Sequence, residues 1–434
     1  MNNMVLNTAL NAVETNSRAS AVDAGSRANV GDAPAVADAA GSNTVTTDVA
    51  TREHTNAIDR TAYRHSYIHV PFCARRCSYC DFAIAVRRTV PWAEYADALA
   101  AEWRVRDIKL TEPLNTLYFG GGTPSSLGPE GVQRLMDWAR SVASLAPHAE
   151  VTLEANPEDI NRSSVAAWQR AGINRLSIGI QSFDDRVLSW MHRVHDAEAA
   201  LKAAQVVRDG GIDKFSIDLI FSLPESLARD WNRDLDIALS LNADHISLYG
   251  LTVEPHTPLG RWQARGDVTP APEENYEAQF LAAHNRLESA GYEHYEVSNF
   301  AQPGKRAVHN SAYWHGAPYL GLGPSAHGFD GATRRWNRSA YAEWQQAVGE
   351  GRDPLDGSEL LTKQNRITET IYLGLRTRDG LEVSLADKPL LDQWVSSGWL
   401  EFVNSSDRNR VRCTPMGWLR LDGLASALTA LRSY

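Results

Sequence analysis

The feature that most constrains the fold is a regular alternation of short β-rich runs and longer helical runs between residues 67 and 292. Predicted strands cover residues 67–70, 116–119, 151–154, 175–180, 214–220 and 245–251, and predicted helices cover 92–109, 129–145, 163–171, 196–209, 228–241 and 273–290. Such alternation is typical of an α/β fold, with a parallel sheet covered by helices. Six units are fewer than a closed eight-unit barrel needs, so a partial barrel and a doubly wound sheet both remain open.

The regions on either side of this alternation have a different composition. Residues 1–60 contain no Phe, Trp, Tyr or Cys, and such a segment buries too little apolar surface to offset the entropy of ordering, so we predict a disordered extension there. We expect the barrel to cover residues 61–300. Residues 301–434 then form a second domain, in which helices at 363–376 and 386–397, an extended pair within 399–413 and a terminal helix predict a mainly helical, winged-helix-like arrangement.

Composition excludes several classes of protein. The net charge of −10 argues against bulk nucleic-acid binding, which needs a basic face. No run of about 18 apolar residues is present, so we expect no membrane span. Four cysteines do not make a disulfide framework in a chain of 434 residues, and the start of the chain lacks the features of a secretory signal. We therefore expect a cytoplasmic location.

Three of the four cysteines form a compact motif directly after the first strand. Cys73, Cys77 and Cys80 have C-x3-C-x2-C spacing, and three thiolates can hold three corners of a cubic iron–sulfur cluster while one iron stays open for a ligand. A structural zinc site is the alternative, although it takes four ligands and would have to recruit His69 or Cys413. The spacing favours the iron–sulfur cluster. The remaining cysteine, Cys413, is expected to be a buried thiol.

With an aromatic residue, Tyr79, before its third cysteine, this motif resembles that of the radical S-adenosylmethionine (SAM) superfamily. The resemblance implies a partial (β/α)6 barrel and a [4Fe–4S] cluster on the three cysteines. It also implies that the amino and carboxylate groups of SAM bind the open iron. In the superfamily, reductive cleavage of SAM then releases methionine and a 5′-deoxyadenosyl radical.

Further positions match elements that bind SAM in this superfamily. A glycine turn after the second strand resembles the GGxxP-type element, three polar residues lie at or near the ends of the third to fifth strands, and an arginine is suited to pair with a carboxylate. Taken singly, each also suits a local role, such as a tight turn, a helix cap or a solvated cation. The predicted SAM contacts are Tyr67, Tyr79, Gly121, Gly122, Thr123, Glu154, Gln181, Arg193 and Asp218.

A second motif lies beyond the predicted barrel. His309, Asn310, Tyr313 and Trp314 form an HNxxYW segment that resembles that of the HemW-type haem chaperones. Histidine is a common axial ligand of haem, and aromatic rings pack on porphyrins, so these four residues are candidate haem contacts. The alternative is that they dock the C-terminal domain onto the barrel.

One position separates two functions within this group. The oxygen-independent coproporphyrinogen III oxidases that the chain resembles commonly carry a fourth cysteine, where this chain has Phe82. The resemblance therefore implies a chaperone that binds haem and hands it to haem-dependent respiratory proteins, transiently at the membrane surface. The alternative is an enzyme that oxidatively decarboxylates coproporphyrinogen III.

Overall fold

The computed structural model describes residues 63–212, 214–404 and 409–433, so the extension predicted over residues 1–60 lies outside the described residues. The strands in chain order are β1 (His65–Val70), β2 (Phe72–Cys73), β3 (Ala85–Val86), β4 (Leu114–Gly121), β5 (Leu145–Ala155), β6 (Arg175–Gln181), β7 (Lys214–Phe221), β8 (His245–Gly250), β9 (Glu293–Glu296), β10 (Asn299–Ala301), β11 (Leu320–Leu322), β12 (His327–Phe329), β13 (Thr333–Asn337), β14 (Leu355–Leu360), β15 (Leu381–Glu382), β16 (Leu400–Phe402) and β17 (Arg410–Cys413).

Helices cover most connections between these strands. They are α1 (Trp92–Val105), α2 (Gly128–Val142), α3 (Arg162–Ala171), α4 (Asp185–Trp190), α5 (Ala197–Asp209), α6 (Trp231–Ser240), α7 (Pro258–Ala264), α8 (Glu273–Ser289), α9 (Val308–Trp314), α10 (Tyr341–Gly349), α11 (Lys363–Arg376), α12 (Lys388–Ser396), α13 (Pro415–Trp418) and α14 (Leu421–Arg432). No helix in the described part of the chain is long and apolar enough to cross a membrane.

The main sheet decides between the two architectures that the sequence leaves open. Its order is β11-β1-β4-β5-β6-β7-β8-β10-β9, and β1, β4, β5, β6, β7 and β8 are parallel neighbours in chain order. In a doubly wound sheet the order of the strands reverses at a switch point, whereas the order of these six strands follows the chain without a reversal. The α/β class is confirmed, and the sheet has the order of a partial barrel. All six predicted strands are present.

Local sequence explains where the covering helices begin, end and pack. In α3, Asn161 caps the start by accepting from Ser163 N and Ser164 N, and Gly172 ends the helix in the left-handed conformation at φ +101°. Trp168 lies on the inner face of α3 and is fully buried. Burying one large apolar side chain of this kind stabilises the fold by about 2–3 kcal/mol, so the capped amphipathic helix is held firmly against the sheet.

The sheet extends past the predicted domain boundary at residue 300. Strand β11 pairs with β1 in parallel, with Tyr67 opposite Gly321. The buried carboxylate of Glu102, on α1, accepts from Gly323 N at 2.8 Å and from Trp344 Nε1 at 2.9 Å, which fixes this segment to the barrel. A three-residue strand followed by a glycine turn has too short a pattern to be predicted from the sequence.

The C-terminal region has the mainly helical character that its sequence predicts. Helix α11 spans the predicted residues and starts with a capping box, in which Thr362 accepts from Asn365 N. Strands β15, β17 and β16 form a small antiparallel sheet beside α11 and α13. Together these elements form the helices and wing expected there, while β12, β13 and β14 form a separate three-stranded sheet.

Candidate active site

The cysteine loop lies at the carboxyl end of the parallel strands. Its strands β2 and β3 pair in parallel, and Ser78 at its centre has two anchors in other elements. Ser78 N donates to Met191 O at 3.1 Å, and Leu259 N donates to Ser78 O at 2.8 Å. The loop is therefore fixed to the turn after α4 and to α7. The three loop cysteines are half-buried, and all line one open cavity.

Two residues from distant elements donate hydrogen bonds to the cysteine sulfurs. Thr123 Oγ1 lies 3.4 Å from Cys73 Sγ, and Arg193 Nη1 lies 3.5 Å from Cys77 Sγ. Burial raises the pKa of the Cys73 thiol to about 11 and that of the Cys80 thiol to about 12. A thiol must lose its proton to bind a metal, so metal binding at this loop releases protons. Hydrogen bonds to sulfur are one of the means by which proteins set the potential of an iron–sulfur cluster, and this loop provides them.

The glycine turn after β4 is shaped by the strand beside it. Gly121 has φ +114°, and a Cβ there would lie 2.7 Å from the His69 ring. The turn also uses its own N–H groups: Gly121 N donates to Glu154 Oε2 at 3.0 Å, and the N–H groups of Gly122 and Thr123 donate to backbone carbonyls of the cysteine loop region. The turn can therefore offer a ligand its carbonyl oxygens, which would accept hydrogen bonds from an amino group.

The three predicted polar residues from successive strands meet at this cavity. Glu154 accepts from Tyr118 OH at 2.7 Å, and Asp218 accepts from Ser177 Oγ at 3.3 Å. Burial, reinforced by nearby Glu154, raises the pKa of Asp218 to about 6. Gln181 is 5% exposed and has φ +71°, and its Oε1 has no hydrogen-bond partner among the described residues. A buried acceptor without a partner at a cavity wall fits a ligand that brings a donor.

Arg193 joins the cysteine loop to the end of the sheet. Its Nη2 donates to Asn156 Oδ1 at 2.8 Å and to Gly179 O at 2.7 Å, in addition to the contact of Nη1 with Cys77. The side chain is therefore not a solvated helix-end cation. Its guanidinium group is held at the cavity wall, where a carboxylate could approach it.

Sequence reasoning missed several polar residues around Arg193. Asn156 and Glu158 line the cavity, and His195 Nδ1 lies 3.3 Å from Glu158 Oε2. His192 also lines the cavity, with φ +60°, a backbone conformation that is uncommon for residues other than glycine. Their positions in the sequence could have indicated them. Asn156 and Glu158 follow the end of a strand, and His192 and His195 lie on either side of Arg193.

The two predicted tyrosine contacts lie in different places. Tyr79 lines the cavity. Tyr67 is not among the cavity-lining residues: it is buried inside the barrel, with its OH 3.2 Å from His69 Nδ1 and its ring stacked on Tyr118. The structure places Tyr67 behind the cavity wall, and its contact with a ligand stays a prediction. A Cβ added at Gly120 would lie 2.9 Å from the Tyr67 ring, so the tyrosine packs behind the glycine turn.

His309 is also placed differently from its prediction as a haem ligand. It is 1% exposed, Nδ1 lies 2.6 Å from Thr116 Oγ1, and Nε2 lies 2.7 Å from Tyr313 OH. The ring stacks on Tyr118, with 4.9 Å between ring centroids. Both ring nitrogens are occupied inside the barrel, so the structure leaves neither for a haem iron. The contacts of His309 match the docking alternative.

The other residues of this motif lie on different surfaces. Asn310 lines a small polar cavity inside the barrel, and Tyr313 packs in the core. Trp314 lines a groove beside the C-terminal domain, and the Arg376 guanidinium lies 4.1 Å from its ring centroid. The four predicted haem contacts therefore do not form one site.

Neither residue that a zinc site would need to recruit is available in this structure. His69 Nε2 lies 3.0 Å from Ala83 O, and Nδ1 contacts Tyr67, so both ring nitrogens are engaged. Cys413 lies in β17 and is 4% exposed, and burial raises the pKa of its thiol. Across the described ranges, no three histidine, cysteine, aspartate or glutamate side chains are arranged to hold a single metal ion.

Comparison with known proteins identifies the region that contains the cysteine loop. The radical SAM superfamily model matches residues 67–236. The haem chaperone HemW of Bacillus subtilis (strain 168) is 34% identical over 73% of this chain and 84% of its own length. The haem chaperone HemW of Mycobacterium tuberculosis (strain CDC 1551 / Oshkosh) is 36% identical over 83% of this chain and 94% of its own.

A solved structure shares the architecture of most of the chain. The coproporphyrinogen III oxidase HemN from Escherichia coli superposes with a TM-score of 0.71, covering 86% of this chain and 91% of that protein at 23% identity. At this level of identity, the likeness shows a common fold.

Proposed function

Because the chain belongs to the HemW family of haem chaperones, within the radical SAM superfamily, we propose that it binds haem and transfers it to haem-dependent proteins. We further propose that the acceptors are respiratory proteins and that transfer takes place in the cytoplasm, transiently at the membrane surface. The observation that carries the proposal is the similarity to haem chaperones over most of the chain, combined with the three-cysteine loop at the barrel mouth.

The cysteine loop fits a [4Fe–4S] cluster. Cys73, Cys77 and Cys80 would hold three irons, and two of the sulfurs already accept a hydrogen bond from Thr123 or Arg193. When bound, the cluster supplies an open iron for SAM and an electron for reductive chemistry. Thr123 and Arg193 would hold the sulfurs in place and favour the reduced state.

The cavity wall beside the loop fits SAM. The carbonyl oxygens of the Gly121–Thr123 turn would accept from the amino group, and the Arg193 fork would pair with the carboxylate. Glu154, Gln181 and Asp218 would meet the hydroxyl and adenine donors, which gives the orphaned Gln181 Oε1 a partner. Tyr79 would pack against the ligand, and Tyr67 would support the turn from behind.

Phe82 favours the chaperone over the oxidase. It lines the cavity at the position where the oxidases that the chain resembles commonly carry a fourth cysteine. An apolar ring there supplies neither a thiolate nor a proton donor, so decarboxylase chemistry would have to use other residues.

The proposal is tested on one anaerobically reconstituted sample with two assays. We expect saturable haem binding near one equivalent per chain and no protoporphyrinogen from coproporphyrinogen III in the presence of SAM and a reductant. Absence of haem binding would overturn the chaperone. Production of protoporphyrinogen would support the oxidase instead.

A further inference from the structure

The two side chains that donate to the cysteine sulfurs are joined by a single amide. Thr123 Oγ1 faces Cys73 Sγ, and Arg193 Nη1 faces Cys77 Sγ. Asn156, directly after β5, contacts both donors: its Nδ2 lies 3.3 Å from Thr123 Oγ1, and its Oδ1 lies 2.8 Å from Arg193 Nη2. Asn156 therefore lies at the centre of a hydrogen-bond network that reaches two of the three cysteines of the loop.

The neighbours of Asn156 determine which way its amide points. The guanidinium of Arg193 only donates hydrogen bonds, so it requires the amide oxygen. A carboxylate only accepts, and Glu158 Oε1 lies 3.2 Å from Nδ2, so Glu158 requires the amide N–H. With the amide reversed, Nδ2 would face the guanidinium and Oδ1 would face the carboxylate, and both hydrogen bonds would be lost. Glu158 and Arg193 together therefore favour one orientation.

This orientation also favours the hydrogen bond from Thr123 to sulfur. Because Asn156 Nδ2 donates to Thr123 Oγ1, the hydroxyl hydrogen can point at Cys73 Sγ. Hydrogen bonds that follow one another along a chain polarise and strengthen each other. The same amide thus supports donation to one sulfur through Thr123 and to another through Arg193.

Glu158 is held in place by a buried histidine. His195 is 5% exposed, its Nδ1 lies 3.3 Å from Glu158 Oε2, and its Nε2 lies 3.1 Å from Ile180 O on β6. Burial alone would raise the pKa of Glu158, but the hydrogen bond from His195 and the Arg193 cation bring it below its ordinary value. Glu158 is therefore a carboxylate at neutral pH, which is the acceptor that the Asn156 amide requires.

We propose that Asn156 is a positioning residue that couples the carboxylate end of the SAM site to the cluster sulfurs, and that Glu158 sets its orientation. The inference rests on the proposed function, because it concerns the cluster and the SAM that the function includes. Asn156 holds the Arg193 guanidinium toward the ligand carboxylate, and it supports both hydrogen bonds to sulfur. No covalent bond changes at Asn156, which acts only through its two neighbours.

The test uses the full-length, cluster-reconstituted chain and three measurements: the affinity for SAM, the affinity for decarboxylated SAM, which lacks the carboxylate, and the redox potential of the cluster. The variants are Asn156→Asp, Glu158→Ala and Glu158→Gln. Both Glu158 variants remove the charge, but only glutamine keeps an oxygen that can accept from Asn156. Asn232→Asp and Glu198→Ala change exposed residues outside the cavity and are the matched controls. Iron and sulfide analysis and a thermal melt show that each variant is loaded and folded.

Asn156→Asp removes both amide donors and places a negative charge beside Arg193. We expect it to lower SAM affinity at least about tenfold, because hydrogen bonds to a charged group are lost or redirected. The affinity for decarboxylated SAM should not fall, and the potential should become more negative. Glu158→Ala should bind SAM about fivefold more weakly than Glu158→Gln, since only alanine leaves the amide of Asn156 without this acceptor. The controls should match the wild type.

An equal loss of affinity for SAM and for decarboxylated SAM in Asn156→Asp would show that the residue only maintains the shape of the cavity, and would overturn the inference. Equal SAM affinities in the two Glu158 variants would overturn the role of Glu158, and this pair decides the result if Asn156→Asp does not retain its cluster. Both results leave the proposed function standing. A wild-type chain that holds no cluster or binds no SAM would instead overturn the cluster and SAM sites of the proposed function.

Discussion

The guanidinium of Arg193 reaches the thiol of Cys77, with Nη1 3.5 Å from Sγ, although 116 residues separate the two in the sequence. The same side chain donates to Asn156 and to the carbonyl of Gly179. One cation therefore connects the cysteine loop to the ends of two strands, beside the wall where the carboxylate of SAM is proposed to bind.

Replacing Arg193 should weaken SAM binding and change the redox potential of the cluster. Arg193→Lys keeps the charge but loses the planar fork, and a hydrogen bond to a charged group contributes about 1.5–3 kcal/mol, so we expect SAM affinity to fall about tenfold or more. Arg193→Gln should also shift the potential to a more negative value, since a cation near a sulfur favours the reduced cluster. Equilibrium dialysis and redox titration measure these effects. Arg186→Lys, at an exposed arginine on α4, is the control.

Each cysteine of the loop should be necessary for the cluster. Single changes of Cys73, Cys77 or Cys80 to Ala remove one of only three protein ligands, and we expect most of the iron and sulfide to be lost after anaerobic reconstitution. Cys413→Ala is the matched control, because Cys413 is a buried thiol in β17. Chemical iron and sulfide analysis decides the result. A loop variant with wild-type iron and sulfide would contradict the assignment, as would zinc without sulfide in the wild type.

Asp218 should make the stability of the apo-protein depend on pH. Its pKa in the folded chain is about 6, above the ordinary value of 3.8, so the folded chain holds a proton that the unfolded chain has lost between these values. Raising the pH through this window therefore lowers the free energy of unfolding. Asp218→Asn removes the effect. The Tm gained over wild type should grow from pH 4 to pH 7, while exposed Asp137→Asn should show no such trend. A gain independent of pH would contradict the shifted pKa.

Glu102 should be necessary for the attachment of β11 to the barrel. Its carboxylate accepts hydrogen bonds from four residues, which are Arg106, Gly323, Asn337 and Trp344. The side chains of Glu102 and Arg106, which form an ion pair, are both buried. Glu102→Gln leaves the Arg106 cation buried without its partner, which costs about 3–5 kcal/mol. Urea denaturation measures the loss. Glu94→Gln, on the exposed start of the same helix, should change the midpoint little, and an equal midpoint for both variants would argue against the role of Glu102.

His309 should matter for stability and not for haem ligation. His309→Ala leaves the hydroxyls of Thr116 and Tyr313 without this partner and removes the ring stacked on Tyr118, so we expect a loss of about 2–4 kcal/mol in the free energy of unfolding. The folded fraction should keep the Soret position of the wild-type haem complex. A shifted Soret band without loss of stability would show that His309 binds the iron after all.

The sequence predicted the six βα units because their signal is periodic and local, whereas the choice of a partial barrel came from the resemblance to the superfamily. Each of the six strands combines a β-rich run with a following helix, and helices such as α3 carry their own caps. Strand β11 has three residues and no periodicity, so its pairing with β1 could not be predicted from residues 320–322 alone. The residue that holds this segment, Glu102, lies more than 200 residues away and accepts from Gly323 N.

The candidate site could be predicted only as far as residue type and strand position allowed. The cysteines, Glu154, Gln181, Arg193 and Asp218 line one cavity, because parallel strands bring their carboxyl ends together. Burial could not be predicted, since a motif does not show which side of an element faces solvent. His309 stands in a matching motif yet lies inside the barrel.

The most direct test of the account is haem transfer from the loaded protein. Full-length protein carrying one equivalent of haem is mixed with a haem-free respiratory haem protein, and the spectra of both are followed after separation. We predict that haem leaves this chain and restores the absorbance spectrum of the acceptor. Haem that stays bound while the acceptor remains empty would contradict the function proposed here.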